Sequence, residues 1–266
     1  MNTPLRVDAE VLENAAEGGV NHRLRVAIPD WPGFAPGQFV MLSPGARGAA
    51  ERDDPLLPRP MAVYRQYEGS QVEVLYKVHG RGTALLAEAQ PGQRVRVVGP
   101  LGRAFSLPEA GERALLVGGG TGVASLYELA ARAIGRAPVS VLLGARSADD
   151  LMGQDDFAAL DVDLHLATED GSRGQRGLVT DLLREALAQG GSARVYACGP
   201  TPMMRAAAEL AADAGQPALV SLENPMACGF GVCLGCAAPL AGGGFGLVCR
   251  DGPVFEAERV DWENLA

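Results

Sequence analysis

Four of the five cysteines, Cys228, Cys233, Cys236 and Cys249, lie in the stretch from Ser221 to Glu256, spaced C-x4-C-x2-C, then twelve residues, then C. This is the spacing with which thiolates ligate a 2Fe-2S cluster. Such a cluster needs four sulfurs converging from several sides, so a short loop must wrap closely around it. Gly229, Gly231 and Gly235 interleave the first three cysteines and permit that wrapping. Gly242, Gly243 and Gly244 predict a reversal, after which a short strand from Phe245 to Val248 returns Cys249 as the fourth ligand.

Two other chemistries use clustered cysteines. Structural zinc favours two C-x2–4-C pairs, and here the second pair is missing. A disulfide framework suits a secreted chain, whereas this one opens without a signal peptide and carries an odd number of cysteines gathered in one tail.

The 266 residues suffice for two modest cores, and 47% hydrophobic with 21% charged residues describe an ordinary globular protein. A formal charge of -9 argues against nucleic acid or an anionic membrane surface as a partner. No apolar run approaches the roughly 20 residues that span a bilayer. The expected setting is the cytoplasm, whose reducing conditions suit cysteine ligands. Lys77 is the only lysine among 23 basic residues.

Residues 1–105 alternate in short apolar and polar steps: Arg6 to Glu13, His22 to Ile28, Gln38 to Leu42, Met61 to Tyr67, Gln71 to Val78 and Arg94 to Val98. Turn signals separate them at Pro36-Gly37, Glu68-Gly69-Ser70 and Pro91-Gly92. This pattern predicts an antiparallel β-barrel of five or six strands, interrupted by a helix from Thr83 to Ala89. Two places in it could do chemistry. Arg59, ahead of Pro60-Met61-Ala62-Val63 and behind a loop rich in proline and acid, has a planar fork that could grip a diphosphate, though taken alone an ordinary surface ion pair is the favoured reading. Gly80-Arg81-Gly82-Thr83 precedes the helix and leaves backbone N–H groups free for an anion, with Thr83 as cap, although glycine also simply ends strands.

Residues 106–220 change rhythm to strand, turn, helix. Strands are predicted at Arg113 to Val117, Pro138 to Gly144, Asp163 to Ala167, Arg194 to Ala197 and Ala218 to Leu222, with helices at Val123 to Ala133, Thr180 to Gln189 and Thr201 to Ala214, the last capped by Thr201. This alternation argues a doubly wound parallel sheet, which binds ligands at the carboxyl ends of its strands. Gly118-Gly119-Gly120-Thr121-Gly122 stands at such an end and could accept a diphosphate, although it departs from the dinucleotide fingerprint by having Val123 or Ser125 in place of the third glycine. Cys198-Gly199-Pro200 closes the fourth strand at the same edge.

In this order the chain resembles the ferredoxin-NADP reductase superfamily. Met226-Ala227-Cys228-Gly229-Phe230-Gly231-Val232-Cys233-Leu234-Gly235-Cys236, with Val248-Cys249-Arg250-Asp251-Gly252-Pro253-Val254-Phe255, is similar to the electron-transfer subunits of class 1B dihydroorotate dehydrogenases. The resemblance covers nearly the whole chain. It implies a β + α/β architecture: an FAD-binding barrel, a nucleotide-binding sheet and a 2Fe-2S segment at 221–266. It implies FAD bound by Arg59, with Pro60, Met61, Ala62 and Val63 beside the flavin ring, Gly80, Gly82 and Thr83 at the helix start, and Lys77 within the cofactor site. NAD would lie on Gly118, Gly119, Gly120, Thr121 and Gly122, with Cys198 and Gly199 near the nicotinamide. Cys228, Cys233, Cys236 and Cys249 would ligate the cluster.

The same resemblance implies a role in pyrimidine biosynthesis, carrying electrons from the FMN of a separate dihydroorotate dehydrogenase catalytic subunit to NAD, in a heterotetramer of two of each chain. Ala62 stands where the family often has Ser or Thr, so a backbone N–H would have to serve the flavin edge. Arg146-Ser147, after the second parallel strand, could instead meet a 2′-phosphate. No acid or base set for dihydroorotate is evident, and His22, His79 and His165 are scattered, as structural or surface residues are. Phe230, Val232 and Leu234 would form a partner surface or shield the cluster. Rival plans are the small subunit of a bifurcating NADH-dependent ferredoxin-NADP reductase or a sulfide dehydrogenase, where aspartate can replace the first cluster cysteine, and a free-standing flavoprotein reductase.

Overall fold

The computed structural model describes residues 3–44 and 57–265, so most of the loop ahead of Arg59 lies outside the described residues. The first seven strands are β1 (Leu5–Gly18), β2 (Asn21–Ala27), β3 (Phe39–Ser43), β4 (Arg59–Ala62), β5 (Arg65–Tyr67), β6 (Gln71–Lys77) and β7 (Arg94–Leu101). They form one antiparallel sheet in the order β4-β3-β7-β1-β2-β6-β5. Alternation builds it: Leu24 and Val26 of β2, Val72 and Val74 of β6, and Val95 and Val97 of β7 all turn into one core.

The single strand expected from Met61 to Tyr67 is in fact two. Val63 and Tyr64, both fully buried, carry the chain from one edge of the sheet to the other. There Val63 N–H donates to the Gln38 carbonyl at 3.0 Å and Tyr64 N–H to that of Glu73 at 2.9 Å. The corner joins the two edge strands of the sheet, β4 and β5. At the β5–β6 turn Gly69 and Ser70 take positive φ values of 69° and 60°, as the hairpin signal predicts.

Helix α1 (Gly80–Ala87) starts earlier than the sequence suggests, so Thr83 sits within its first turn and not at the cap. From there Thr83 Oγ1 accepts the His79 N–H at 2.7 Å and donates to the His79 carbonyl at 2.8 Å, tying down the strand-to-helix turn from inside.

The second sheet contains β8 (Arg113–Gly119), β9 (Val139–Ala145), β10 (Asp163–Thr168), β11 (Gln175–Arg176), β12 (Ala193–Cys198) and β13 (Ala218–Ser221), all parallel. Helices α2 (Tyr127–Ala133), α3 (Gln154–Ala158), α4 (Val179–Ala188) and α5 (Thr201–Asp213) connect them. Central β8 is apolar throughout from Ala114 to Val117, as a strand covered on both faces must be. Two local expectations shift. The glycine run feeds a 3-10 turn, Gly120–Ser125, before α2, and α5 is preceded by Pro200, with Thr201 already helical and making no side-chain cap.

The C-terminal segment holds a hairpin of β14 (Ala237–Pro239) and β15 (Phe245–Leu247), reversed through Gly242, Gly243 and Gly244. Its last strand, β16 (Val254–Glu256), joins the second sheet antiparallel to β13, a pairing the sequence did not announce. Among the described residues no helix is long and apolar enough to cross a membrane.

Candidate functional site

In the second sheet the order β11-β10-β9-β8-β12-β13-β16 reverses direction between β8 and β12, and open parallel sheets bind ligands outside the carboxyl ends of strands at such a switch point. A cavity of about 470 Å³ lies against the carboxyl edge of the sheet. Four stretches supply most of its lining: Pro60, Met61 and Ala62 of the barrel, Leu75 to Lys77, His79 and Thr83 from β6 into α1, Thr121 and Ser125 after β8, and Ser221 through Met226 after β13. Its lining is mostly apolar with a few polar groups, the composition of a cofactor site.

Arg59 and the start of α1 form one place. A Cβ on Gly82 would come within 2.6 Å of Arg59 Cζ, so the guanidinium lies directly over that glycine. Arg59 Nη1 donates to the Leu57 carbonyl at 2.5 Å, and Thr83 lines the cavity beneath. A cation over glycine backbone is a cradle fit for a diphosphate. Of the barrel residues singled out above, Val63 turns into the core and away from the cavity. Lys77 lines the cavity and pairs with Asp150 at 3.2 Å, linking the barrel to the second sheet's connections.

The glycine run and Cys198-Gly199 also converge. A side chain on Gly122 would collide with the carbonyl of Cys198, and it would stand 2.6 Å from the Gly199 nitrogen. The turn after β8 therefore rides on the end of β12, backbone to backbone. Cys198 itself is 1% exposed, with its thiol 3.5 Å from both Ser125 Oγ and the Ser221 carbonyl. Burial, reinforced by the Glu223 carboxylate, pushes that thiol up to about 12. Cys198 thus lies beneath the cavity, and Ser125 and Ser221 face it.

The other four cysteines gather separately. Cys236 and Cys249 are buried with their sulfurs 3.2 Å apart, while Cys228 and the exposed Cys233 make a second close pair. Two pairs of thiols are the donor arrangement a two-iron cluster requires, two sulfurs to each iron. Backbone N–H groups aim at these sulfurs: Val232 at Cys228 and Cys249 at Cys236, each at 3.4 Å. Burial works against a thiolate at Cys228, but N–H groups of Cys233, Phe230 and Val232 outweigh it and draw the thiol down to about 6. The loop turns through Gly229, Gly231 and Leu234 at positive φ, so Leu234 takes the turn expected of Gly235. Phe230, Val232, Leu234 and Phe245 project outward, between 56% and 73% exposed, and do not fold over the sulfurs.

Residues 223–261 match the iron-sulfur cluster binding domain of dihydroorotate dehydrogenase B, and residues 116–209 match the oxidoreductase NAD-binding domain. A dihydroorotate dehydrogenase B (NAD(+)) electron transfer subunit from Geobacillus thermodenitrificans is 44% identical over 232 residues, covering 85% of this chain and 86% of that one. Its counterpart from Desulforamulus reducens is 36% identical over 262 residues, covering 96% and 98%. The chain belongs to the dihydroorotate dehydrogenase B electron-transfer subunit family. Among solved structures, the NADH-dependent reduced ferredoxin-NADP oxidoreductase studied for flavin-based electron bifurcation superposes with a TM-score of 0.86, at 30% identity over 97% of this chain and 91% of that one.

In this dihydroorotate dehydrogenase B family member, the iron-sulfur match contains all four clustered cysteines, and the NAD-binding match spans the glycine run and Cys198-Gly199. Sequence reasoning missed the cavity wall from Ser221 to Met226. The signal was available, because these residues follow the carboxyl end of a strand read correctly. Glu223 stands out there: its side chain is exposed to the cavity, and the protein crowded around it shifts its carboxyl upward from the ordinary carboxylate value. His79 also lines the cavity, whereas His165 pairs with Asp163 on the surface and His22 packs near Tyr76.

Proposed function

We propose that this chain is the electron-transfer subunit of a dihydroorotate dehydrogenase B complex, coupling dihydroorotate oxidation on the FMN of a separate catalytic subunit to NAD reduction. Arg59, Gly80, Gly82 and Thr83 hold the FAD diphosphate, and Pro60, Met61 and Ala62 flank the flavin. Gly118 to Gly122 hold the nicotinamide nucleotide over the backbone of Cys198 and Gly199. Cys228, Cys233, Cys236 and Cys249 ligate a 2Fe-2S cluster. Bound there, FAD exchanges hydride with nicotinamide and single electrons with an iron-sulfur centre.

One observation carries this reading. The segment Ser221 to Met226 lines the cavity shared by the barrel and the glycine turn, and two residues later it becomes the first cysteine of the thiol loop. Nucleotide turn, flavin wall and thiol loop are thus contiguous. Phe39, Met61, Leu222 and Met226 give the cavity apolar walls that exclude water, and Glu223 and Asn224 supply polar groups.

The catalytic subunit docks on the rim of Phe230, Val232, Leu234 and Phe245, since these are large apolar side chains left open around the thiols. The complex holds two copies of each chain and works in the cytoplasm. The likeness to the electron-bifurcating oxidoreductase favours a second reading, a small subunit of that type.

The deciding measurement is anaerobic nicotinamide reduction by the purified native complex on addition of dihydroorotate. NADH formation that disappears when the FMN-bearing partner is removed supports the proposal. Silence toward dihydroorotate, with NADPH-driven reduction of ferredoxin, transfers the chain to the second reading.

A further inference from the structure

Across the seam between the barrel and the second sheet runs a network of five charged side chains and one tyrosine. Asp156, on α3 of the sheet side, accepts from three barrel donors: Arg23 Nη2 at 2.7 Å, Arg65 Nη1 at 2.8 Å and the Tyr64 hydroxyl at 2.9 Å. Glu73 of β6, 1% exposed, ties the two arginines together at 2.8 and 2.9 Å, and Glu17 shares Arg23 Nη2 with Asp156. Neighbouring contacts run the same way, Asn21 Nδ2 to the Asp149 carbonyl at 3.4 Å and Lys77 to Asp150 at 3.2 Å.

Burial alone would raise the Asp156 carboxyl, but Arg23 and Tyr64 outweigh it and hold it below the usual carboxylate range. At neutral pH, then, the carboxylate is charged and fully engaged. Phe157, adjacent to it in α3, is wholly buried in the core of the second sheet, with its ring 5.4 Å from that of Tyr127. On the barrel side, Tyr64 lies two residues beyond Ala62 in the cavity wall. The grip therefore joins the flavin wall to the body that carries Thr121 and Ser125.

We propose that Asp156 is a positioning residue for hydride exchange: by holding Arg23, Tyr64 and Arg65 it fixes the separation of the flavin wall and the glycine turn across the cavity. The proposal rests on the cofactor placement given above. The thiol loop is anchored to the barrel on its own account, since a Cβ on Gly229 would meet Met41 Cγ at 2.6 Å and Arg103 N–H donates to the Gly252 carbonyl at 2.6 Å. Releasing Asp156 should therefore loosen the nucleotide turn relative to the flavin wall and leave the flavin wall and thiol loop in register.

The test uses the complete complex carrying Asp156→Asn, with anaerobic stopped-flow reduction of its flavin by NADH. A displacement of about 1 Å at a reacting centre costs up to roughly 100-fold, so the expected fall in the hydride step is about 10-fold or more. NAD affinity measured by calorimetry and the flavin and cluster spectra should stay as in the wild type, Asp156→Glu should recover most of the rate, and amide exchange in 154–158 should quicken. A hydride step within about twofold of wild type, less than 0.5 kcal/mol by the usual rate arithmetic, overturns the proposal. So does a rate loss that tracks loss of flavin and cluster. Should the Asn variant fail to fold, Tyr64→Phe, which removes one donor only, decides: an unchanged rate overturns the proposal. Wild-type flavin that NADH does not reduce overturns the proposed function itself.

Discussion

The guanidinium of Arg59 lies face-on over Gly82, so close that a methyl group there would stand 2.5 Å from Nη2 and 2.6 Å from Nε. Twenty-odd residues separate them in the chain, and each alone is an unremarkable residue type. Together they make a cation above an open helix start. Gly82→Ala should lever Arg59 away and weaken FAD retention by about 10- to 100-fold, the 1.5–3 kcal/mol typical of a hydrogen bond to a charged group. Flavin release followed by fluorescence measures it, and undiminished retention removes Arg59 from the diphosphate site.

Gly122→Ala should separate the two half-reactions. Its methyl group would collide with the Cys198 carbonyl, and overpacking of this kind costs roughly 1–3 kcal/mol. The turn must lift off the end of β12, so flavin reduction by NADH should slow at least tenfold while bound FAD and iron content hold. Equal loss of all three would point to general unfolding.

Val232→Glu and Phe245→Glu place a charge on side chains that are 71% and 73% exposed beside the thiol loop. Neither side chain supports the core, so the cluster spectrum should persist while the catalytic subunit dissociates on size-exclusion chromatography. A complex that stays whole in both variants moves the interface elsewhere.

The Asp156 network also sets a pH dependence. Its folded-state pKa is depressed, so its contribution is present above the unfolded value of about 3.9 and is lost as pH falls through the folded value. Removing one partner of a buried ion pair costs about 3–5 kcal/mol, and the Asp156 side chain is 17% exposed, so Asp156→Asn should cost about 3 kcal/mol. Thermal denaturation should show that gap constant from pH 5 to 8 and shrinking below pH 4. A gap that persists undiminished to pH 2 assigns the lost stability to some other contact.

What the sequence determined by itself was local. Alternation in β2, β6 and β7, the apolar run of β8, the glycine reversal after Leu240 and the cysteine spacing each depend on residues a few positions apart, where periodicity and backbone conformation act directly. Family resemblance added which cofactors those pieces hold. Tertiary structure decided what distant residues do to one another. Val63 reads as the next residue of a flavin strand, but the chain crosses there from β4 to β5, and the side chain packs into the barrel core. Cys198 reads as a residue at a ligand edge, yet packing of Ser125 and Ser221 over it puts the thiol out of reach. Asp156 reads as one acid in an acidic stretch, and only the meeting of two separately built bodies, 133 positions apart in Arg23 and Asp156, makes it a junction. Such contacts leave no periodic trace, because they are set by how whole elements pack and not by the order of residues within any one of them.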